Sequence, residues 1–418
     1  MRLRQTGSHG SMAWLQRCQT GMKALRSSLF LFVTALAPLS AQQTGFELVC
    51  VDGRTLRAER IEGGAAGTWT LATGAATERI DARSVLCVAG PRAIESSLPI
   101  ACFAGGDRIR GLVTGGNEGG DRLELQSPTL GRLDLAVDRL ERLVLRSSAA
   151  QPEDLVLPDG ASEALFLPAA LGFDRVAGAL HQFSADGIRF QPESEKSPRW
   201  FPHKDLVGLC IDGAEAPTET AIAELVTRSG DRVALTSFAF EGTTLRAQLA
   251  TGGACTVAQG DVACLLRLDL SAVFASRIEP SRAVESSPEG DATLPWRRDL
   301  AVSGSMLAAG GRCYARGLGV HSKSRLEFPV PAGVTSFVAR VAFDDSALQL
   351  RVRGQVQVAV RVGDAAPAFA GELSPTDAPR MVGPIRVQPG QVVSLEVEFG
   401  QGRDLGDRVD WLLCAFLP

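Results

Sequence analysis

The chain has 418 residues, 45% of them hydrophobic and 22% charged, which is ample for packed cores and points to about two to four domains. Its 43 basic and 47 acidic residues leave a formal net charge of −4, so it lacks the basic footprint that nucleic-acid binding needs. Nearly every basic residue is Arg, with Lys only at Lys23, Lys196, Lys204 and Lys323, a matter of codon usage more than of function.

Lys23 and Arg26 precede an apolar run from Leu29 to Ala37, and Leu39-Ser40-Ala41 follows as a small-residue exit. Charge, core length and cleavage chemistry make residues 1–41 a secretory signal peptide, with Met1 or Met22 as its start. The run falls short of the ~20 apolar residues that cross a bilayer, and no other run reaches that length. The expected mature protein is exported, to the periplasm or the extracellular space, with no membrane span.

Four similar units follow, at residues 42–90, 98–146, 162–212 and 220–270. They align on Arg54, Arg108, Arg175 and Arg232, each preceded by Gly or Asp. Each opens on a short apolar strand, such as Glu47-Leu48-Val49 or Glu224-Leu225-Val226. Alternating segments such as Leu123-Glu124-Leu125 come next. Each closes on an apolar run: Val85-Leu86-Cys87-Val88, Leu143-Val144-Leu145, Leu209-Cys210-Ile211 and Leu265-Leu266-Arg267-Leu268. Strict alternation bounded by Gly, Asp and Ser is the signature of strands, and helical periodicity is scarce. The fold class is therefore all-β, beginning with four small β-barrel-like or meander repeats. They resemble Sm-like or SH3-like barrels, a likeness any small meander would share. Adjacent units can share sheets, because stacking buries what one unit cannot.

Residues 271–295 are rich in Pro, Ser and acidic side chains, as in Glu285-Ser286-Ser287-Pro288, and read as a surface linker. Residues 296–418 return to strand-like alternation, in Phe337–Val341, Leu348–Val352, Val356–Val360, Val392–Val397 and Trp411–Cys414, enough for two facing antiparallel sheets. Three motifs punctuate them: Tyr314-Ala315-Arg316-Gly317-Leu318-Gly319-Val320-His321-Ser322, then Phe343-Asp344-Asp345, then Gly406-Asp407-Arg408-Val409-Asp410-Trp411.

In order and spacing these motifs resemble the novel carbohydrate-binding module family, galactose-binding-like β-sandwiches often attached to glycoside hydrolases. The resemblance covers about residues 269–418 and implies a C-terminal jelly-roll-type β-sandwich with a carbohydrate as partner. Residue by residue it points to Arg316, His321, Asp345, Asp410 and Trp411 for ligand binding. The pattern is broken where Ser346-Ala347-Leu348 replaces a Gly-rich turn and where Gly363-Asp364 inverts the usual hairpin. It also places the motifs on strands that pair as neighbours, so that Gly317, Gly319, His321, Asp345, Asp410 and Trp411 should converge.

Each candidate has a second reading. His321 either donates to a sugar hydroxyl or ties down the glycine turn as a core histidine, and the latter is favoured. Trp411 sits in a regular apolar strand, so core packing is favoured over sugar stacking. Asp344 and Asp407, with Asp345 and Asp410, could supply oxygens to Ca²⁺, or serve as ordinary turn residues. Eight cysteines follow the leader, an even number that permits disulfides in an oxidising compartment. Cys87 and Cys210 read as buried core thiols. Cys313 and Cys414, flanking the first and last motifs, are the best candidates for a bridge.

No HExxH, no GxSxG and no GxxxxGK[ST] occurs. The leading expectation is an exported, non-catalytic glycan-binding protein. One alternative is a structural protein of the cell envelope that uses the sandwich to assemble with a protein partner. A third is an accessory part of a glycoside hydrolase system. The small number of aromatics in the sandwich favours the structural alternative.

Overall fold

The computed structural model describes residues 45–94, 96–147, 149–287, 294–401 and 404–418. The expected signal peptide lies outside the described residues. Among those described there is no α-helix, and therefore no helix long and apolar enough to cross a membrane.

The repeat pattern becomes a recurring strand order. The opening strands are Phe46–Cys50, Ile100–Phe103, Glu163–Pro168 and Ala223–Thr227. The closing strands are Val85–Ala89, Leu140–Val144, Gly208–Ile211 and Val262–Arg267. A single 3-10 turn comes just before each closing segment, at Ala82–Ser84, Val137–Arg139, His203–Asp205 and Gln259–Asp261. Each closing strand pairs antiparallel with its own opening strand, so each strand group closes on itself. The apolar runs seen in the sequence are these closing strands; Val85–Ala89 and Val262–Arg267 are buried throughout, with sheet neighbours and packed layers on every side. The repeat Arg residues stand at the mouth of a later strand: Arg108 and Arg232 begin theirs, Arg54 precedes Thr55–Ala58, and Arg175 is the third residue of Phe173–Phe183.

The units also pair with one another, and the registers carry a local symmetry. The first and fourth closing strands pair with Val88 opposite Leu265, and the second and third with Leu143 opposite Leu209. Counted from the 3-10 turn, each pair joins equivalent positions, the relation a local two-fold axis produces. The second and fourth units repeat it with Arg108 opposite Arg232. Around that contact Asp107 accepts from the Ala234 N–H at 2.8 Å, while Asp231 accepts from the Arg110 N–H at 2.7 Å. The Asp before the repeat Arg is thus a reciprocal clasp between units. One continuous hydrophobic core runs through all four.

The C-terminal sandwich has two sheets. One runs Arg297–Arg298, Gly317–His321, Arg408–Leu417, Ser336–Phe343, Arg380–Arg386. The other runs Arg282–Glu285, Ser324–Pro329, Val392–Phe399, Val356–Val362, Phe369–Leu373. Leu318, Val320, Phe337, Val358, Leu395 and Trp411 fill the space between them. The expected linker 271–295 needs correction. Val273–Phe274 pairs with the C-terminal strand and Arg282–Glu285 forms an outer strand of the second sheet, so both belong to the sandwich. Arg282–Glu285 is exposed along most of its length, and an exposed edge strand tolerates the polar composition that reads as a linker.

Candidate functional site

The C-terminal strand Arg408–Leu417 gathers the motifs. It pairs with Gly317–His321 on one side, matching Gly319 to Asp410, Leu318 to Trp411 and His321 to Arg408, and with Ser336–Phe343 on the other. The two glycines are required by close approach. A Cβ on Gly319 would stand 2.4 Å from the carbonyl oxygen of Leu300, and one on Gly317 would stand 2.6 Å from that of Trp411.

Trp411 is fully buried in the sandwich core, and its indole N–H has no hydrogen-bond partner among the described residues. His321 is half-buried, with Nδ1 2.8 Å from the backbone oxygen of Ser322. Trp411 thus lies in the core, and His321 contacts the backbone of the residue that follows it.

Arg316 has a role its own motif does not reveal. Its guanidinium is buried and pairs with Glu224 of the fourth unit, one contact being 3.0 Å, and lies 3.4 Å from Asp299. Arg340, also buried, pairs with Glu47 of the first unit and reaches the Tyr314 hydroxyl at 3.1 Å. Glu47 and Glu224 are equivalent, because each precedes the Leu that lies opposite the symmetric residue of its closing strand, Val88 or Leu265. The local two-fold therefore presents two glutamates, and the sandwich grips each with a buried Arg. Apolar packing completes the seam, with Val49, Leu86, Val226 and Leu266 of the units against Tyr314, Val338, Leu412 and Leu417. In the second and third units the equivalent positions are Ile100 and Ala164, and their face is covered by the chain's own Ala150 and Leu155. The Glu-Leu-Val shared by the first and fourth opening strands, and absent from the other two, was the signal that could have exposed this seam.

The carboxylates expected to bind calcium are engaged separately. Asp344 accepts from the Ser346 N–H at 2.9 Å and the Ala308 N–H at 3.3 Å. Asp345 accepts from the Gly311 N–H at 2.9 Å, and Asp407 accepts from the Ser322 hydroxyl. Among the described residues no group of three or more His, Cys, Asp or Glu side chains is placed to hold a metal ion, at Asp344 and Asp407 or elsewhere. Asp410 is wholly buried beside Asp344. Burial, and then the neighbouring carboxylate, pushes its carboxyl well above the usual range. Asp407 is pushed up to about 6, chiefly by burial, against the hydrogen bond from Ser322.

The Cys313–Cys414 bridge is likewise corrected. Both are buried free thiols. Cys414 points into the sandwich core, whereas Cys313 belongs to the seam with the units and its thiol lies 2.9 Å from Met306 Sδ. A left-handed residue at Leu413, φ 51°, interrupts the alternation just before Cys414 and helps set which face it takes.

Several side chains stay accessible around the strand Arg297–Arg298, and others at the opposite end of the sandwich, where Ser336 pairs with Leu417. Trp296 is half-buried, packed against the sandwich core; its backbone N–H donates to Glu285 at 2.7 Å, and the Arg298 guanidinium lies 5.2 Å from its ring centroid. The adjacent Arg297 pairs with Gly319, two residues from His321. Lys323 pairs with Glu398 at 3.0 Å, and Ser287 donates to Asp404 at 2.9 Å nearby. A shallow groove of about 670 Å³ is lined by Thr335, Ser336, Pro384, Arg386, Val387 and Gln388, with no aromatic side chain.

Residues 272–416 match the NPCBM/NEW2 domain family. Comparison with curated proteins finds no match. Among solved structures, the CBM51 of Clostridium perfringens GH95 in complex with methyl-galactose is 16% identical, with a TM-score of 0.31, over 35% of this chain and 99% of that one. The CBM51-2 and INT domains of Clostridium perfringens ZmpB, in complex with GlcNAc, are 17% identical at a TM-score of 0.31, over 44% and 37%. The tandem CBM51 modules of Sp3GH98, the family 98 glycoside hydrolase of Streptococcus pneumoniae SP3-BS71, are 12% identical at a TM-score of 0.30, over 90% and 88%.

Proposed function

We propose that the sandwich is a glycan-recognition module and that the chain is exported and non-catalytic, the four units forming the platform on which the module is mounted. The observation that carries this reading is the domain match over residues 272–416. Geometry narrows where the sugar would sit. Trp411 is buried in the core and Arg316 is paired in the seam, which favours a sugar site elsewhere on the sandwich. Around Arg297–Arg298 the chain offers a half-buried indole in Trp296, the guanidinium of Arg298, the ammonium of Lys323 and the acceptor Glu285, with Glu279 and Glu398 paired to the two cations. A glycan array probed with residues 42–418 tests this. Binding to a defined set of glycans that is lost in Trp296→Ala supports the reading, and an array with no specific signal refutes it.

A second reading, an envelope protein that uses the sandwich for assembly, is favoured by one observation: the first motif already mediates docking, through Arg316 to Glu224. It predicts no glycan signal and a protein partner instead. Service to a glycoside hydrolase system is a narrower form of the first reading. Export is tested by N-terminal mass spectrometry of the mature protein, which should begin near Gln42; an intact leader on the recovered protein contradicts it.

A further inference from the structure

The local two-fold that joins the first and fourth units brings two cysteines together. Cys87 and Cys264 are each the third residue of their closing strand, and those strands pair around Val88 opposite Leu265. The two sulfurs lie 3.5 Å apart, fully buried, although the residues are 177 positions apart in sequence. A disulfide has sulfurs about 2.05 Å apart, so the bond requires the two side chains to rotate and their strands to draw closer locally. In that register Cys264 stands opposite Ala89 and Cys87 opposite Leu266, so the two cysteines are diagonal neighbours on one ladder. Cys313 lies near Cys264 but belongs to the sandwich and is engaged by Met306. The remaining cysteines, Cys50, Cys102, Cys210, Cys255 and Cys414, have no sulfur neighbour in hydrogen-bond range among the described residues.

We propose that Cys87 and Cys264 form an oxidation-closed staple between the first and fourth units. The oxidant is a disulfide-bearing thiol reagent or oxidoreductase. One cysteine thiolate attacks its S–S bond, forming a mixed disulfide and releasing one thiol. The second cysteine thiolate then displaces the other thiol, forming the Cys87–Cys264 bond. The two cysteine thiols are oxidised, the reagent is reduced to two thiols, and the two cysteine protons pass to them. The staple would lock together the two strand groups that present Glu47 and Glu224, and so hold the seat of the sandwich at fixed width. Because both sulfurs lie beneath the docked sandwich, the bond would form during folding, before docking closes over it. The proposal is independent of what the sandwich binds.

Refolding tests it. Residues 42–418 are reduced, unfolded and refolded in a buffer of oxidised and reduced glutathione, then alkylated under denaturing conditions and digested without reductant. The expected result is one linked pair of peptides carrying Cys87 and Cys264, with the other six cysteines alkylated. The oxidised form should then melt at a higher temperature than the form refolded in reductant, and that difference should vanish in Cys87→Ala/Cys264→Ala. Alkylation of both Cys87 and Cys264, or a link from Cys264 to Cys313, overturns the proposal. It needs no variant to fold, because peptide mapping is done on the unaltered sequence.

Discussion

Trp411 has no polar contact to defend and a fully buried ring, so its value is packing. Trp411→Ala should destabilise the chain by about 3–5 kcal/mol, read by chemical denaturation, whereas Trp411→Phe should cost clearly less because the indole N–H bonds to nothing. An unchanged melt of the Ala variant would return Trp411 to the surface as a ligand platform. The buried carboxylates set a pH dependence. Asp407 is raised from 3.8 to about 6 and Asp107 to about 7, each chiefly by burial, and Asp410 is raised as well. Between the unfolded and folded values the native state holds protons that the unfolded chain releases. Their contribution is therefore fully present below about 3.8 and is lost as pH rises through about 6 and about 7. Denaturation midpoints measured from pH 4.5 to 8 should fall across that window, and Asp407→Asn, Asp107→Asn and the double variant should flatten the slope. A slope unchanged in the double variant contradicts the assignment.

At the scale of elements, the seam explains what periodicity reveals and what it hides. Alternation marks most strands of the sandwich because one face of each meets a core, but at Leu348–Val352 it misleads, since Asp345–Gln349 is a 3-10 turn and no strand begins before Val356; the apolar closing strands stand out because they are buried on both faces. Convergence of Gly319, Asp410 and Trp411 was also legible, because the family resemblance implies that their motifs lie on strands that pair as neighbours. Arg316 was not legible: its partner Glu224 lies 92 positions away in another unit, and nothing local separates a docking Arg from a ligand-binding one. The edge strand Arg282–Glu285 hid for the opposite reason, as exposure leaves no apolar pattern to read. The Glu47 and Glu224 positions carry a direct prediction. Glu224→Ala leaves Arg316 buried without its principal partner and should cost about 3–5 kcal/mol, and Glu47→Ala should act alike through Arg340. Ile100→Ala, at the equivalent position of the second unit, removes only apolar packing and should not loosen the sandwich. Limited proteolysis at the seam distinguishes them: enhanced cleavage in the glutamate variants alone is expected, and equal protection of all three would refute the seam as an electrostatic clasp.

Across the whole molecule, the units and the sandwich share a buried boundary of apolar side chains and two ion pairs, so the module is an embedded part of the chain and not a bead on a tether. An isolated sandwich would expose Tyr314, Leu412 and Leu417 and leave Arg316 and Arg340 without their glutamates, which makes residues 42–418 the proper material for any binding test. The recognition claim then rests on the half-buried ring of Trp296. The most direct measurement is a titration of residues 42–418 with the best glycan from the array, comparing the unaltered chain with Trp296→Ala at matched melting temperature. The account predicts a loss of affinity greater than about tenfold in the variant, as for a Trp at the centre of a binding site. Wild-type affinity in the folded Trp296→Ala chain would contradict it.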